Sequence, residues 1–125
     1  MRKITIKIND LKIKAELFNT PTANRVFDAL PLMGDAQIWR EEIYFMIPLE
    51  LGLEHTAREE VEIGDLGYWP DGPAFCVFFG QTPVSQTDKP KAYSPVNVFG
   101  HISQDMSPLK TVTSGSTIIV EKASS

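Results

Sequence analysis

Apolar and polar residues alternate strictly over Lys3–Ile8 and again over Leu11–Leu17. Ile4, Ile6 and Ile8 are interleaved with Lys3, Thr5 and Lys7, and Leu11, Ile13, Ala15 and Leu17 with Lys12, Lys14 and Glu16. Side chains of a strand project alternately to its two faces, so this pattern predicts two strands, Lys3–Ile8 and Leu11–Leu17, each with one buried face. Asn9-Asp10 between them suits a two-residue hairpin turn. The period then changes. Ala23, Val26, Phe27 and Leu30 recur at helical spacing behind Thr20-Pro21, where the hydroxyl can cap free N–H groups and the ring fits the first helical position. A helix over 21–30 follows, stopped by Pro31, with its apolar stripe over one open end of the sheet.

Further strands are predicted at Asp35–Arg40 and Glu42–Ile47. In the second, Ile43, Phe45 and Ile47 share one face while Tyr44 and Met46 share the other, so neither face is polar. Pro48–Glu60 has no convincing period and reads as a surface loop. The centre of the chain is Val61–Gly80, two apolar strands around a Trp-Pro-Asp-Gly-Pro turn, with Gly64 and Gly67 where close backbone approach is expected. In Ala74–Phe79, Phe75, Val77 and Phe79 face one way and Cys76 and Phe78 the other. Gln81–Pro95, with Pro83, Pro90 and Pro95, reads as a long loop. Val96–Ile102 is a strand, Ser107-Pro108 opens a short second helix over 107–112, and Thr117–Lys122 is the last strand. Strands apolar on both faces need cover on both, which favours a closed barrel with helices at its ends over an open sheet.

The 125 residues suit one domain, 1–125, with no repeat or linker. Net charge is −4, and its distribution narrows the function more than its size does. Five basic side chains lie in residues 1–14, but they alternate with apolar positions and so solvate a strand. The segment 40–65 is strongly acidic. No concentrated basic face for nucleic acid follows. No apolar run approaches the length of a membrane helix, and the opening alternation is no signal peptide, so a cytoplasmic protein with no membrane partner is expected. Cys76 stands alone within an apolar strand and reads as a buried thiol. His55 and His101 have no third ligand at metal spacing, and neither a metal nor another cofactor is expected. Glu41-Glu42 and Glu59-Glu60 point to opposite faces if they lie in strands; each pair reads as a solvated edge.

Four segments carry a family resemblance: Glu41-Glu42-Ile43-Tyr44-Phe45, Val61-Glu62-Ile63-Gly64-Asp65-Leu66-Gly67-Tyr68-Trp69-Pro70, Phe78-Phe79-Gly80-Gln81-Thr82-Pro83, and Val96-Asn97-Val98-Phe99-Gly100. Together they resemble the small prokaryotic cyclophilin-like proteins. The resemblance implies a closed eight-stranded β-barrel capped by two helices. Val98–Ile102, followed by Met106 and Val112, is also similar to the Val-Phe-Gly strand and following helix of true cyclophilins. Their catalytic set does not carry over. Val96 stands where they place the active-site histidine and Lys91 where they place a tryptophan, and their Gln-Gly-Gly motif is absent. Arg40, in Ile38-Trp39-Arg40, is the one candidate for their catalytic arginine.

Prolyl isomerisation must lower an amide rotation barrier of roughly 18–20 kcal/mol by binding the twisted amide better than the planar one. That requires an apolar socket, for which Tyr44, Trp69 and Phe79 are candidates, and a donor, for which Arg40 is. Three functions stay open: a non-catalytic binding module for a small molecule or peptide in an aromatic groove, a weak prolyl isomerase, and a role in small-molecule metabolism such as cyclophilin-like subunits of allophanate-hydrolase and oxoprolinase type have. The first leads. Its ligand-binding residues are expected around the central turn: Tyr44, Tyr68, Trp69, Phe79, Thr82 and Pro83. Trp69 anchors the set, because a large ring with an N–H to satisfy suits a half-open groove.

Overall fold

The opening alternation becomes a hairpin. In the computed structural model, which describes residues 2–123, β1 (Lys3–Ile8) and β2 (Leu11–Leu17) pair antiparallel. Asn9 takes φ 55 in the turn, a left-handed conformation that asparagine tolerates. The isoleucines of β1 are buried and its lysines face outward. Next comes α1 (Pro21–Ala29), capped by Thr20, whose hydroxyl accepts the Ala23 N–H. Glu54, from the loop across the way, accepts the Thr22 N–H at 3.0 Å and so satisfies a second free helical donor. Thr22, Ala23 and Val26 form the buried side of α1, whereas Phe27, expected at the centre of the stripe, is only half-buried.

The remaining strands are β3 (Leu32–Asp35), β4 (Gln37–Trp39), β5 (Glu42–Met46), β6 (Arg58–Glu60), β7 (Asp65–Trp69), β8 (Ala74–Phe78), β9 (Lys91–Ile102) and β10 (Thr117–Lys122). The fold is mainly β. Nine strands follow in the order β3-β10-β1-β2-β9-β7-β8-β5-β4, with β6 paired to β9 off this path. This corrects the expectation of a closed eight-stranded barrel with two helical caps. Ten strands are present, no hydrogen-bonded ladder joins the ends of the path among the described residues, and the segment expected as a second helix is a 3₁₀ turn at Ser107–Thr111. The two ends of the path, β3 and β4, are nonetheless separated in sequence by Ala36 alone. The sheet therefore curls until its edges meet at one covalent corner, and contiguity of the chain takes the place of a closing ladder.

The central strands are covered on both faces. On the inner one, Phe45, Phe75 and Phe99 stack within a large core, with Phe75–Phe99 centroids at 5.1 Å. On the outer one, Cys76 and Phe78 of β8 meet Val61, Ala92 and Val96 in a second, smaller cluster. The doubly apolar pattern of β5 and β8 is thus explained by cover on both sides.

The outer cover is supplied by β9, which the sequence placed at Val96–Ile102 but which begins at Lys91. Its first half pairs with β6, through Lys91 and Val96, and its second half with β7, from Asn97 onward. Pro95, which has no N–H to give to a ladder, sits in the irregular register between the Lys91 and Val96 pairings with β6. The loop before β6 is held by buried polar groups. The Tyr68 hydroxyl donates to the Leu49 carbonyl at 2.6 Å and accepts the Leu51 N–H at 2.9 Å. Asn97 donates to Gly52 O and accepts the Glu54 N–H. No helix of the described residues is long and apolar enough to cross a membrane.

Candidate functional site

The outer face of β5 and β8 carries a cavity of about 280 Å³. Strand register builds it. Trp39 of β4 lies opposite Glu42 of β5, and Glu42 lies opposite Phe78 of β8. One row along, Tyr44 lies opposite Cys76, and Cys76 opposite Gly67 of β7. Since alternate residues share a face, Glu42 and Tyr44 project together. Gly67 is bare because Val96 descends onto it from β9: a Cβ there would lie 3.0 Å from Val96 Cγ2 and 3.1 Å from the Phe78 ring.

Four aromatic rings wall the cavity. Tyr44 and Trp69 are 6.5 Å apart between centroids at 75°, Trp69 and Tyr93 6.4 Å apart at 83°, and Tyr93 and Trp39 6.3 Å apart at 70°. Each ring is thus nearly perpendicular to the next, the edge-to-face arrangement aromatic pairs prefer. Both tryptophans of the chain are among them. Trp69 is fixed by its N–H, which donates to Ser94 Oγ at 2.6 Å; Ser94 in turn donates to Asp71. Tyr93 is 71% exposed and forms the rim.

The base is different in kind. Glu42 is only 6% exposed, and its Oε1 is buried with no hydrogen-bond partner among the described residues. Burial raises its carboxyl from 4.5 to about 7, an effect that the adjacent Cys76 thiol offsets only in part. The Cys76 thiol is itself pushed well up, by burial first and then by the Glu42 carboxylate beside it. It is therefore held protonated and is not poised as a nucleophile. A carboxyl that titrates near neutrality in a walled cavity can accept a hydrogen bond from a charged donor or exchange a proton with what enters.

Of the residues expected from sequence, Tyr44 and Trp69 come together here. Tyr68 points to the opposite face and is wholly buried in the main core, its hydroxyl occupied by the loop. Phe79 belongs to that core too. Thr82 is buried and donates to the Lys91 carbonyl, and Pro83 is exposed and does not line the cavity. Arg40 occupies the two-residue turn between β4 and β5 with φ 54, exposed, and is not among the lining residues. The sequence reading missed Trp39, Glu42 and Tyr93. Glu42 in particular is buried and not on a solvated edge. Its signal was parity: it lies two residues before Tyr44 and so on the face already assigned to the groove.

A second polar cluster lies elsewhere on the sheet. Asp65, buried, accepts the Glu62 N–H and stands 3.0 Å from His101 Nδ1. Beside it Gly64 takes φ +99, and a Cβ there would reach within 2.7 Å of the Ile102 carbonyl. This pair fixes the start of β7 against β9. Among the described residues no group of three His, Cys, Asp or Glu side chains could hold a metal ion.

A curled, mainly antiparallel sheet with one capping helix and an outer-face cavity defines a small cyclophilin-type β domain. The model of the cyclophilin-like family matches residues 2–121, so the chain belongs to that family. The fold is similar to the solution structure of the hypothetical protein AF2241 from Archaeoglobus fulgidus, with a TM-score of 0.81 and 38% identity over 98% of this chain and 95% of that one. No functionally curated protein matches the chain.

Proposed function

We propose that this cyclophilin-like protein is a binding module for a small molecule, held in the outer-face cavity between Trp39, Tyr44, Trp69 and Tyr93. The observation that carries this reading is the four-ring enclosure around a single buried carboxyl. Small-molecule sites are concave and mostly apolar, with few polar groups to orient the ligand, and a cavity of about 280 Å³ suits a ligand of few heavy atoms. The register that makes the cavity also fixes its walls, so little ordering cost attends binding. Prolyl isomerisation fits the site less well, because Arg40, the expected donor, is outside the cavity lining.

Because the chain has two tryptophans and both line the cavity, intrinsic fluorescence reports on this site alone. A panel of small metabolites is screened for tryptophan quenching together with a raised unfolding midpoint. Trp69→Ala should remove the midpoint shift for every hit while leaving a folded sheet. A panel in which no compound moves either signal, or hits that survive Trp69→Ala unchanged, would remove the reading.

A further inference from the structure

We infer that the cavity is built for a protonated amine, an organic ammonium whose charged nitrogen sets an N–H against the Glu42 carboxylate while its carbon substituents lie against the four rings. This rests on the ligand-binding reading above and names its ligand class.

Three observations converge. The first is the unmatched acid. Glu42 is more than nine-tenths buried, lines the cavity, and has an oxygen without any protein donor. Buried polar groups are ordinarily paired, and an unpaired one costs free energy that a ligand donor can recover. The second is the wall. The negative π-faces of tryptophan and tyrosine attract cations, most strongly when water is excluded, and aromatic enclosures are a recurrent way to hold ammonium groups. A neutral apolar ligand would use the rings and leave the acid idle; an anion would be repelled by both. The third is that, among the described residues, no cation lies beside it. The titratable groups beside Glu42 from the packed strands are Tyr44 on β5, Cys76 on β8 and Tyr93 on β9; β4 and β7 contribute Trp39 and Trp69. None is basic. Lys91, next along β9, is turned to Glu59 and Gln86, and Arg40 is exposed in its turn. The positive charge that would balance Glu42 is therefore left for a ligand to bring.

Requiring an N–H excludes quaternary ammonium as the preferred form, since only a donor satisfies Glu42. It also makes binding depend on pH. A carboxyl titrating at about 7 is mostly protonated at pH 6 and mostly ionised at pH 8, so the affinity for an ammonium that stays protonated throughout should rise about tenfold between these values.

The test titrates the protein with benzylammonium and with benzyl alcohol, its neutral counterpart of similar shape, following tryptophan quenching at pH 6 and pH 8. Benzylammonium should bind at least tenfold more tightly than the alcohol at pH 8, and about tenfold more tightly at pH 8 than at pH 6. Glu42→Gln, verified as folded by its cooperative thermal transition, should abolish both differences. The pH series on the unaltered protein stands without any variant. If the alcohol binds as well as the amine, or the amine's affinity does not change with pH, the ammonium assignment is wrong and the cavity remains a site for neutral ligands. If neither compound binds while the metabolite panel yields a neutral ligand, the assignment also fails. Silence from both compounds and from the whole panel removes the binding reading with it.

Discussion

Trp39 and Glu42 face each other across the β4–β5 hairpin as a cross-strand pair, so the two-residue turn at Arg40 and Glu41 sets an indole beside a buried carboxyl. The burial of that carboxyl has a measurable consequence before any ligand is added. The Glu42 carboxyl has its pKa raised from 4.5 to about 7 in the folded chain. Between these values the folded state holds a proton that the unfolded chain has released, so stability falls as pH rises through this window. Below about 4.5 the group costs nothing extra, and above about 7 the full penalty is present, roughly 3 kcal/mol on the scale of the shift. Other carboxylates act in the opposite sense. Asp105, whose pKa is lowered by hydrogen bonds from the Ser107 backbone and hydroxyl, is one. The difference between two proteins isolates Glu42. Urea denaturation should show Glu42→Gln close to the unaltered protein at pH 5 and more stable than it at pH 8, and a variant less stable at pH 8 would contradict the burial argument.

Tyr68, expected in the groove from sequence, is a strut of the core. Its hydroxyl bridges the Leu49 carbonyl and the Leu51 N–H from within the core. Tyr68→Phe removes the bridge and leaves both backbone groups short of a partner, at a cost of roughly 1–3 kcal/mol. Chemical denaturation measures this loss, and quenching by any ligand of the cavity should be unaffected, since Tyr68 faces away from it.

Phe27 carries a smaller load than a central place in the helix stripe suggests. It is half-buried, and its ring lies under two cations, 4.8 Å from the Arg2 guanidinium carbon and 4.7 Å from Lys122 Nζ. Full burial would make Phe27→Ala cost roughly 3–5 kcal/mol. Half of that, roughly 2 kcal/mol, is expected here, with part of it lost in high salt as the cations are screened. Denaturation at low and high ionic strength should show both.

Much of the fold was legible because burial alternates simply where one face is wet. The strands β1, β2 and β10 and the capped helix α1 fall within a residue of their predicted bounds. Legibility failed where two faces are covered. Nothing local distinguishes Tyr44, which meets a cavity, from Tyr68, which meets the core; the strand parity that separates them is known only once the register is. Pro95 signals a loop, yet it lies in an irregular stretch of β9 opposite β6, which only the partner strand reveals. Glu42 was hidden for the same reason. A carboxyl in a sequence signals solvent, and the cavity this one lines is walled in part by Ala92 and Val96, about fifty residues further on.

The last prediction concerns catalysis. An isomerase must hold a proline ring and set a donor on the twisted amide. The cavity offers the ring a place, but beside its aromatic walls stand an acid and a protonated thiol, and Arg40 lies in a tight turn outside the lining. Val96 and Lys91 stand at the positions that the family resemblance gives to ring side chains. Val96 is buried against Gly67 and presents only an aliphatic side chain to the cavity. Assayed on a proline peptide, the purified protein should therefore accelerate isomerisation little or not at all, and Arg40→Ala should leave that rate unchanged. A rate comparable to that of a true cyclophilin, lost in Arg40→Ala, would make Arg40 the donor and move the functional surface from the cavity to the hairpin turn.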